Sequence, residues 1–258
     1  MSDRPGTLYL VPNTLDLGEA GLPDDLAELL PRRAIRVAAR LEHWLCENAR
    51  TTRAFLKRVD AVIPLARPLQ QLSIVELPRP AKGRPDATAP PPLQLLAPAL
   101  AGADLGLISD AGLPAVADPG AAVVAAAHAA SIPVVALPGA SAIVLAVAAS
   151  GLDGQSFAFV GYVPVAPEPR AARIRELEAI SRRHRQTQLM IETPYRNAAL
   201  FEALLAHLQP ATRVCVSAGL TLDRGFTRTN SVVGWRSDRA GLALPNDLPA
   251  IFALLATG

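Results

Sequence analysis

The chain has 258 residues, half of them hydrophobic and 19% charged, enough for one large domain or two smaller ones and too apolar for a disordered chain. Aromatics make up only 4% and the formal net charge is +2, which argues against an extended base-stacking platform and against a dedicated, strongly basic nucleic-acid binder. The two cysteines, Cys46 and Cys215, lie far apart, and His43, His128, His184 and His207 have no ligand spacing, so a disulfide framework, a CxxC site and a bound metal are not expected.

In chain order, Thr7–Pro12 reads as a short strand stopped by proline. Leu26–Leu30 reads as a short helix and Ile35–Ala38 as a strand. Trp44–Val59 shows helical spacing of Leu45, Ala49, Phe55, Leu56 and Val59, with Arg50, Arg53 and Lys57 on another face. Leu77–Pro92 is proline-rich and predicts a loop, and Leu93–Leu100 a short helix. Leu105–Ser109 and Ile132–Leu137 predict buried strands, each followed by a turn and a helix, Gly120–Ala130 and Ser141–Ala149. This strand–turn–helix order predicts an α/β fold with a mostly parallel sheet. From Phe157 the texture changes. Strands are expected at Phe157–Tyr162, Gln188–Glu192 and Arg213–Ala218, and helices at Arg170–Arg185 and Asn197–Leu208. Two further apolar runs, Ser231–Val233 and Ala250–Leu254, complete a second half that reads as a mixed sheet with helices on one face.

No Asp, Glu, Lys or Arg occurs between Asp118 and Asp153. A membrane span needs about 20 apolar residues. Here His128, Pro133 and Pro138-Gly139 interrupt the run, so two soluble elements are expected and no membrane association. The N-terminus lacks a signal-peptide pattern, which predicts the cytoplasm.

Nucleotide-binding glycine signatures are absent, and Gly139-Ala140-Ser141-Ala142-Ile143 lacks the last glycine of a nucleophile elbow. What remains is a pair of strand-end turns rich in Gly, Pro, Asp and Ser: Ser109–Pro114, closing in Asp118-Pro119-Gly120, and Leu137–Ala142. Ligands of open α/β sheets sit at the carboxyl ends of the strands. Small residues there admit close backbone approach. Either turn alone reads as an ordinary βα turn with Asp or Ser capping a helix. Two in consecutive units favour a ligand site.

The string Leu107-Ile108-Ser109-Asp110-Ala111-Gly112-Leu113-Pro114-Ala115-Val116-Ala117-Asp118-Pro119-Gly120 resembles the central motif of the tetrapyrrole-methylase superfamily of S-adenosylmethionine-dependent methyltransferases. Within it the chain is most similar to the branch of the small-subunit ribosomal RNA (cytidine-2′-O) methyltransferase. Leu8–Pro12, Glu47–Thr52, Leu137–Ala142, Ser150–Leu152, Phe159–Pro164 and Glu192–Arg196 resemble further blocks of that branch in the same order. Several positions depart from it: Asn48 and Ala49 in the Glu-Asp-Thr-Arg box, Tyr195 in the Ser-Pro-His-Arg block, and a loop without histidine at Leu77–Pro92.

The resemblance implies two α/β domains with the cofactor in a cleft between them, and a homodimer. The boundary is expected near residue 118, giving 1–118 (acceptor side and part of the cofactor site) and 119–258 (the rest of the cofactor site and dimer contacts). It implies S-adenosylmethionine as cofactor, S-adenosylhomocysteine as product, and no metal. By position, Pro12, Ser109, Asp110, Ala111, Gly112, Pro138, Ser141, Ala142 and Glu192 are expected to line the cofactor pocket, with Ala218, Pro249 and Ile251 toward the adenine. Glu47, Arg50 and Glu192 are the catalytic candidates: a carboxylate to receive the hydroxyl proton, and an arginine for an anion. Against these roles, Glu47 and Arg50 are spaced as an i,i+3 surface pair, and Glu192 as an ion-pair partner of Arg196. The six arginines from Arg170 to Arg185 read as a solvated face or as an RNA contact. RNA or a ribosomal particle is the expected partner. The alternatives are a small-molecule acceptor such as a tetrapyrrole, or a cofactor-binding paralogue without RNA methylation.

Overall fold

A computed structural model of the chain describes residues 4–16, 26–78, 91–238 and 244–257. It divides into two units, Met1–Ser141 and Ala142–Gly258. The first contains β1 (Leu8–Leu10), α1 (Arg32–Arg40), β2 (His43–Cys46), α2 (Ala49–Val62), β3 (Ser73–Glu76), α3 (Pro92–Leu95), α4 (Ala97–Leu100), β4 (Leu105–Ile108), α5 (Ala121–Ala129) and β5 (Val134–Ala136). Its sheet has the order β3-β2-β4-β1-β5, and every pairing is parallel. Parallel sheets are covered on both faces, so their strands are apolar on both sides. Trp44 and Cys46 accordingly pack with Ile35, Phe55 and Leu56 of α1 and α2, whereas Leu45 packs with Ala99, Val123 and Ala127 of α4 and α5.

Three expectations change here. Ile35–Ala38 is part of helix α1, not a strand. Ala34, Ile35, Ala38 and Ala39 form a buried helical stripe, while Arg32, Arg33, Arg36 and Arg40 sit off it. The segment from Trp44 is not helical throughout: His43–Cys46 is strand β2, and the helix begins only after Asn48, whose side chain accepts from Arg50 N at 2.9 Å as an N-cap. The first unit runs past residue 118, because β5 pairs with β1 in register Leu8↔Val134. Of the loop expected at Leu77–Pro92, residues 79–90 lie outside the described residues.

The second unit contains α6 (Ala142–Ser150), β6 (Phe157–Phe159), α7 (Pro167–His184), β7 (Thr187–Glu192), α8 (Asn197–His207), β8 (Arg213–Ala218), β9 (Phe226–Ser231), α9 (Val232–Ser237) and β10 (Ala250–Leu255). The sheet order is β6-β7-β10-β8-β9, with β6 and β7 parallel and the remaining pairings antiparallel. Strand side chains alternate between faces. Ala250, Phe252 and Leu254 pack with Ile174, Leu204 and Trp235 from α7, α8 and α9, whereas Ile251 and Ala253 pack with Ile143, Ala146 and Val147 of α6. Helices therefore cover both faces of this sheet rather than one. Val232 and Val233 lie in α9, which follows edge strand β9. Trp44 and Trp235 are packing residues, each 1% exposed, and both cysteines are buried, which pushes their thiols up.

Among the described residues no helix is long and apolar enough to cross a membrane. Among those residues no group of three or more His, Cys, Asp or Glu is arranged to hold a metal ion.

Candidate functional site

In the first unit, the turns after β1, β2, β4 and β5 meet at the carboxyl ends of the strands. Asn13 fastens two of them. Its Nδ2 donates to Ser109 O at 3.1 Å and to Asp110 O at 2.9 Å, and its backbone N donates to Gly112 O at 2.8 Å. Beyond it, Thr14 Oγ1 donates to Asp16 at 2.8 Å, and Arg58 donates to the same carboxylate at 2.8 Å. The β5 turn closes on Pro12 just as tightly: a Cβ on Gly139 would stand 2.2 Å from Pro12 Cβ, so only glycine fits. Pro12, Ser109, Asp110, Ala111, Gly112 and Pro138 are thus brought to one end of the sheet. Ser141 closes this unit, and Ala142 opens α6 in the other.

The β4 turn is held in an unusual backbone shape. Gly112 has φ +67°, and Ala115 and Ala117 have φ of 64° and 65° without being glycine. Left-handed alanines cost about 1 kcal/mol or more each. They flank the approach to Asp118. That carboxyl is pushed up to about 6, first by burial and then by the charges of Glu47 and Asp110, with the Ser109 hydroxyl pulling it back.

Glu47 follows β2 and precedes α2, so it is not on a helix with Arg50. Its Oε2 accepts from Asp110 N at 3.2 Å. Asp110 Oδ1 accepts from Thr51 Oγ1 at 2.5 Å. The Arg50 residue is exposed, at the start of α2. Glu47, Asp110 and Asp118 therefore form a carboxylate-rich end to the first sheet. Sequence reasoning singled out Glu47 and Asp110 but passed over Asn13, Thr51 and Asp118. Asp118 lay inside the quoted motif, but its neighbours come from β2 and β4 and become visible only after folding.

The second unit gathers its own candidates. Glu192, Ala250 and Ala218 stand abreast across β7, β10 and β8, with Pro249 and Ile251 on either side of Ala250. Glu192 is 3% exposed. Its Oε1 accepts from Thr193 N at 2.8 Å, Thr193 Oγ1 at 3.2 Å and Arg196 Nε at 2.8 Å, and Arg196 Nη2 stands 2.6 Å away. The expected Glu192–Arg196 pair is present. Next to it, Asn197 Nδ2 donates to Pro245 O at 3.1 Å and Leu248 O at 2.8 Å, holding the segment before β10. Asn197 Oδ1 is buried and has no hydrogen-bond partner among the described residues. No sequence pattern pointed to Asn197.

The arginine run along α7 is largely engaged locally. Arg170 binds carbonyls, Arg173 pairs with Glu176 at 2.8 Å, Arg175 meets His207 Nδ1 at 3.4 Å, and Arg182 lies 4.0 Å from Glu178.

A family model described as tetrapyrrole (corrin/porphyrin) methylases matches residues 20–230. The chain is 30% identical to a ribosomal RNA small subunit methyltransferase I from Halalkalibacterium halodurans, over 75% of this chain and 57% of that protein. It is 34% identical to a protein of the same name from Micromonospora olivasterospora, over 79% of this chain and 56% of that one. The chain thus matches little more than half the length of these relatives. Among solved structures it is similar to the methyltransferase CobJ, at TM-score 0.55 and 15% identity, covering 98% of this chain and 95% of that one. It is also similar to a uroporphyrin-III C-methyltransferase from Thermus thermophilus complexed with S-adenosylhomocysteine, at TM-score 0.53 and 18% identity, covering 97% of each chain. At these identities the structural likeness is one of fold.

Proposed function

The chain belongs to the tetrapyrrole (corrin/porphyrin) methylase family, and on that premise we propose that it is an S-adenosylmethionine-dependent methyltransferase acting on RNA, at a ribose 2′-hydroxyl of ribosomal RNA. The observation that carries the cofactor assignment is the end of the first sheet, where Asn13 ties the β1 turn to Ser109 O and Asp110 O and the carboxylates of Glu47, Asp110 and Asp118 are gathered. Such a site suits a ligand bearing a sulfonium and an ammonium. The tight turn at Gly139 and the left-handed Gly112 let backbone, rather than side chains, approach that ligand. Bound there, the cofactor supplies an electrophilic methyl group for in-line displacement.

The chain's own residues orient and handle the proton. Pro12, Ser109, Asp110, Ala111, Gly112, Pro138, Ser141 and Ala142 are the proposed cofactor contacts of the motif turns. In the second unit the proposed contacts are Glu192, Ala218, Pro249 and Ile251. Orientation of this kind supplies several kcal/mol of the barrier reduction. Of the catalytic candidates, Glu47 suits proton acceptance, because its carboxylate follows β2 at the end of the first sheet and is approached by a backbone amide, that of Asp110, rather than by an arginine of its own turn. Glu192 Oε1 is occupied by Thr193 and Arg196, which suits a positioning role. Arg50, exposed at the start of α2, is the proposed contact for an RNA phosphate. The proposed working form is a cytoplasmic homodimer.

The test is calorimetric titration with S-adenosylhomocysteine of the wild type and of Asp110→Ala, followed by methyl transfer to ribosomal RNA and to a tetrapyrrole. Micromolar binding that weakens in the variant, with methyl groups appearing on RNA, supports the proposal. Transfer only to the tetrapyrrole redirects it to a small-molecule acceptor. Binding without transfer to either points to a cofactor-binding paralogue. No binding by folded protein overturns it.

A further inference from the structure

We propose that Tyr162 and Tyr195, with the arginines fixed beside them, form a face of the second unit on which an unpaired base of the RNA acceptor stacks. This deepens the RNA reading above and rests on it. Tyr195 is 77% exposed and Tyr162 57%, and Val165, three residues after Tyr162, is also 57% exposed. Two of the chain's three tyrosines are therefore exposed residues at the same end of one sheet. Beyond β6, Val160 N donates to Leu189 O and Ile191 N donates to Gly161 O, which continues the parallel pairing and sets Tyr162 alongside the carboxyl end of β7. Tyr195 follows β7 in a single 3₁₀ turn, Pro194–Arg196.

The rings are displayed on a rigid support. Arg196 is held by Glu192, and its guanidinium carbon lies 5.6 Å from the centroid of the Tyr195 ring. Arg170 donates to Pro164 O at 2.9 Å, to Ala199 O at 3.2 Å and to Val165 O, tying the stretch after Tyr162 to α8. These three acceptors are carbonyls, so none of them cancels the charge of Arg170. The acidic residue of that helical turn is Glu168. Exposed aromatic rings beside a fixed positive charge are what single-stranded nucleic acid requires: a π-face for a base and a cation for its phosphate. RNA recognition by stacking uses unpaired bases. With few aromatics in the chain, this is a local platform for one or two bases, not an extended groove.

The test is fluorescence anisotropy with a labelled single-stranded RNA of about 12 nucleotides. It compares wild type, Tyr195→Ala, Tyr195→Phe and Tyr162→Ala, with S-adenosylhomocysteine affinity, melting temperature and light-scattering mass measured on each. The expected result is a loss of RNA affinity of about ten-fold in Tyr195→Ala and a smaller loss in Tyr162→Ala. Near wild-type affinity is expected in Tyr195→Phe, with cofactor affinity, melting temperature and mass unchanged throughout. RNA binding that is equal in wild type and both alanine variants overturns the stacking face and leaves the RNA reading standing. A wild type that binds S-adenosylhomocysteine but no RNA overturns both. A change of mass in Tyr195→Ala, with RNA affinity intact, makes the face a contact between copies of the chain and likewise overturns the proposal.

Discussion

Two glutamates at strand ends, Glu47 in the first unit and Glu192 in the second, have opposite surroundings. Glu192 is buried and its Oε1 is crowded by Thr193 and Arg196. Glu47 accepts from the Asp110 amide and lies close enough for its charge to push up the Asp118 carboxyl. A carboxylate oxygen held by its own turn and by an arginine organises its neighbours. A carboxylate at a turn where strand ends meet is placed to touch a ligand. One residue type thus meets an arginine and a hydroxyl in one unit and a backbone amide in the other, and the proposed roles of the two follow from those partners.

That contrast can be broken most forcefully at Arg196. Arg196→Ala strands a buried carboxylate and should cost about 3 kcal/mol of stability, read by chemical denaturation. Glu47→Gln should lower methyl transfer about 100-fold with little change in S-adenosylhomocysteine affinity or melting temperature. If it instead behaved like the arginine variant, Glu47 would be structural. Asn13→Ala removes two side-chain bonds to carbonyls and should cost about 2 kcal/mol, with weakened S-adenosylhomocysteine binding in calorimetry.

The smallest effect is expected at Asp118, with the opposite sign. Its folded pKa of about 6 lies above the usual 3.8, so the folded state holds the proton more tightly than the unfolded state does. Stability therefore falls as pH rises from about 4 to 6 and levels off above that. Asp118→Asn should be more stable than wild type at pH 7.5, by about 1 kcal/mol once solvent screening is allowed for. The gap should close toward pH 4. Thermal melts across that range decide it, and a gap independent of pH would refute the assignment.

The elements legible in the sequence were those whose pattern is local. Leu105–Ile108, Arg213–Ala218 and Ala250–Leu255 are apolar runs bounded by turn residues, and each is a strand. Ile35–Ala38 misled because Arg36 between two apolar residues imitates alternation, whereas the stripe through Ala34, Ile35, Ala38 and Ala39 has helical spacing. β9 escaped notice because Thr227, Arg228, Thr229 and Asn230 give an edge strand no apolar signal. The motif turns were readable as turns at strand ends, with Asp110 in one of them. The roles of Asn13 and Asp118 were not, since each depends on groups that are distant in sequence and are brought close only by the parallel sheet.

The position of β10 has a consequence in time. The strand lies between β7 and β8, yet Ala250–Leu255 follows every other element of the unit in chain order. During synthesis at about 5–20 residues per second, the β6–β7 and β8–β9 pairs lack the strand that joins them until β10 is made. The second sheet therefore closes late and from its middle. The first sheet, complete with β5, has the whole length of the second unit's synthesis in which to form.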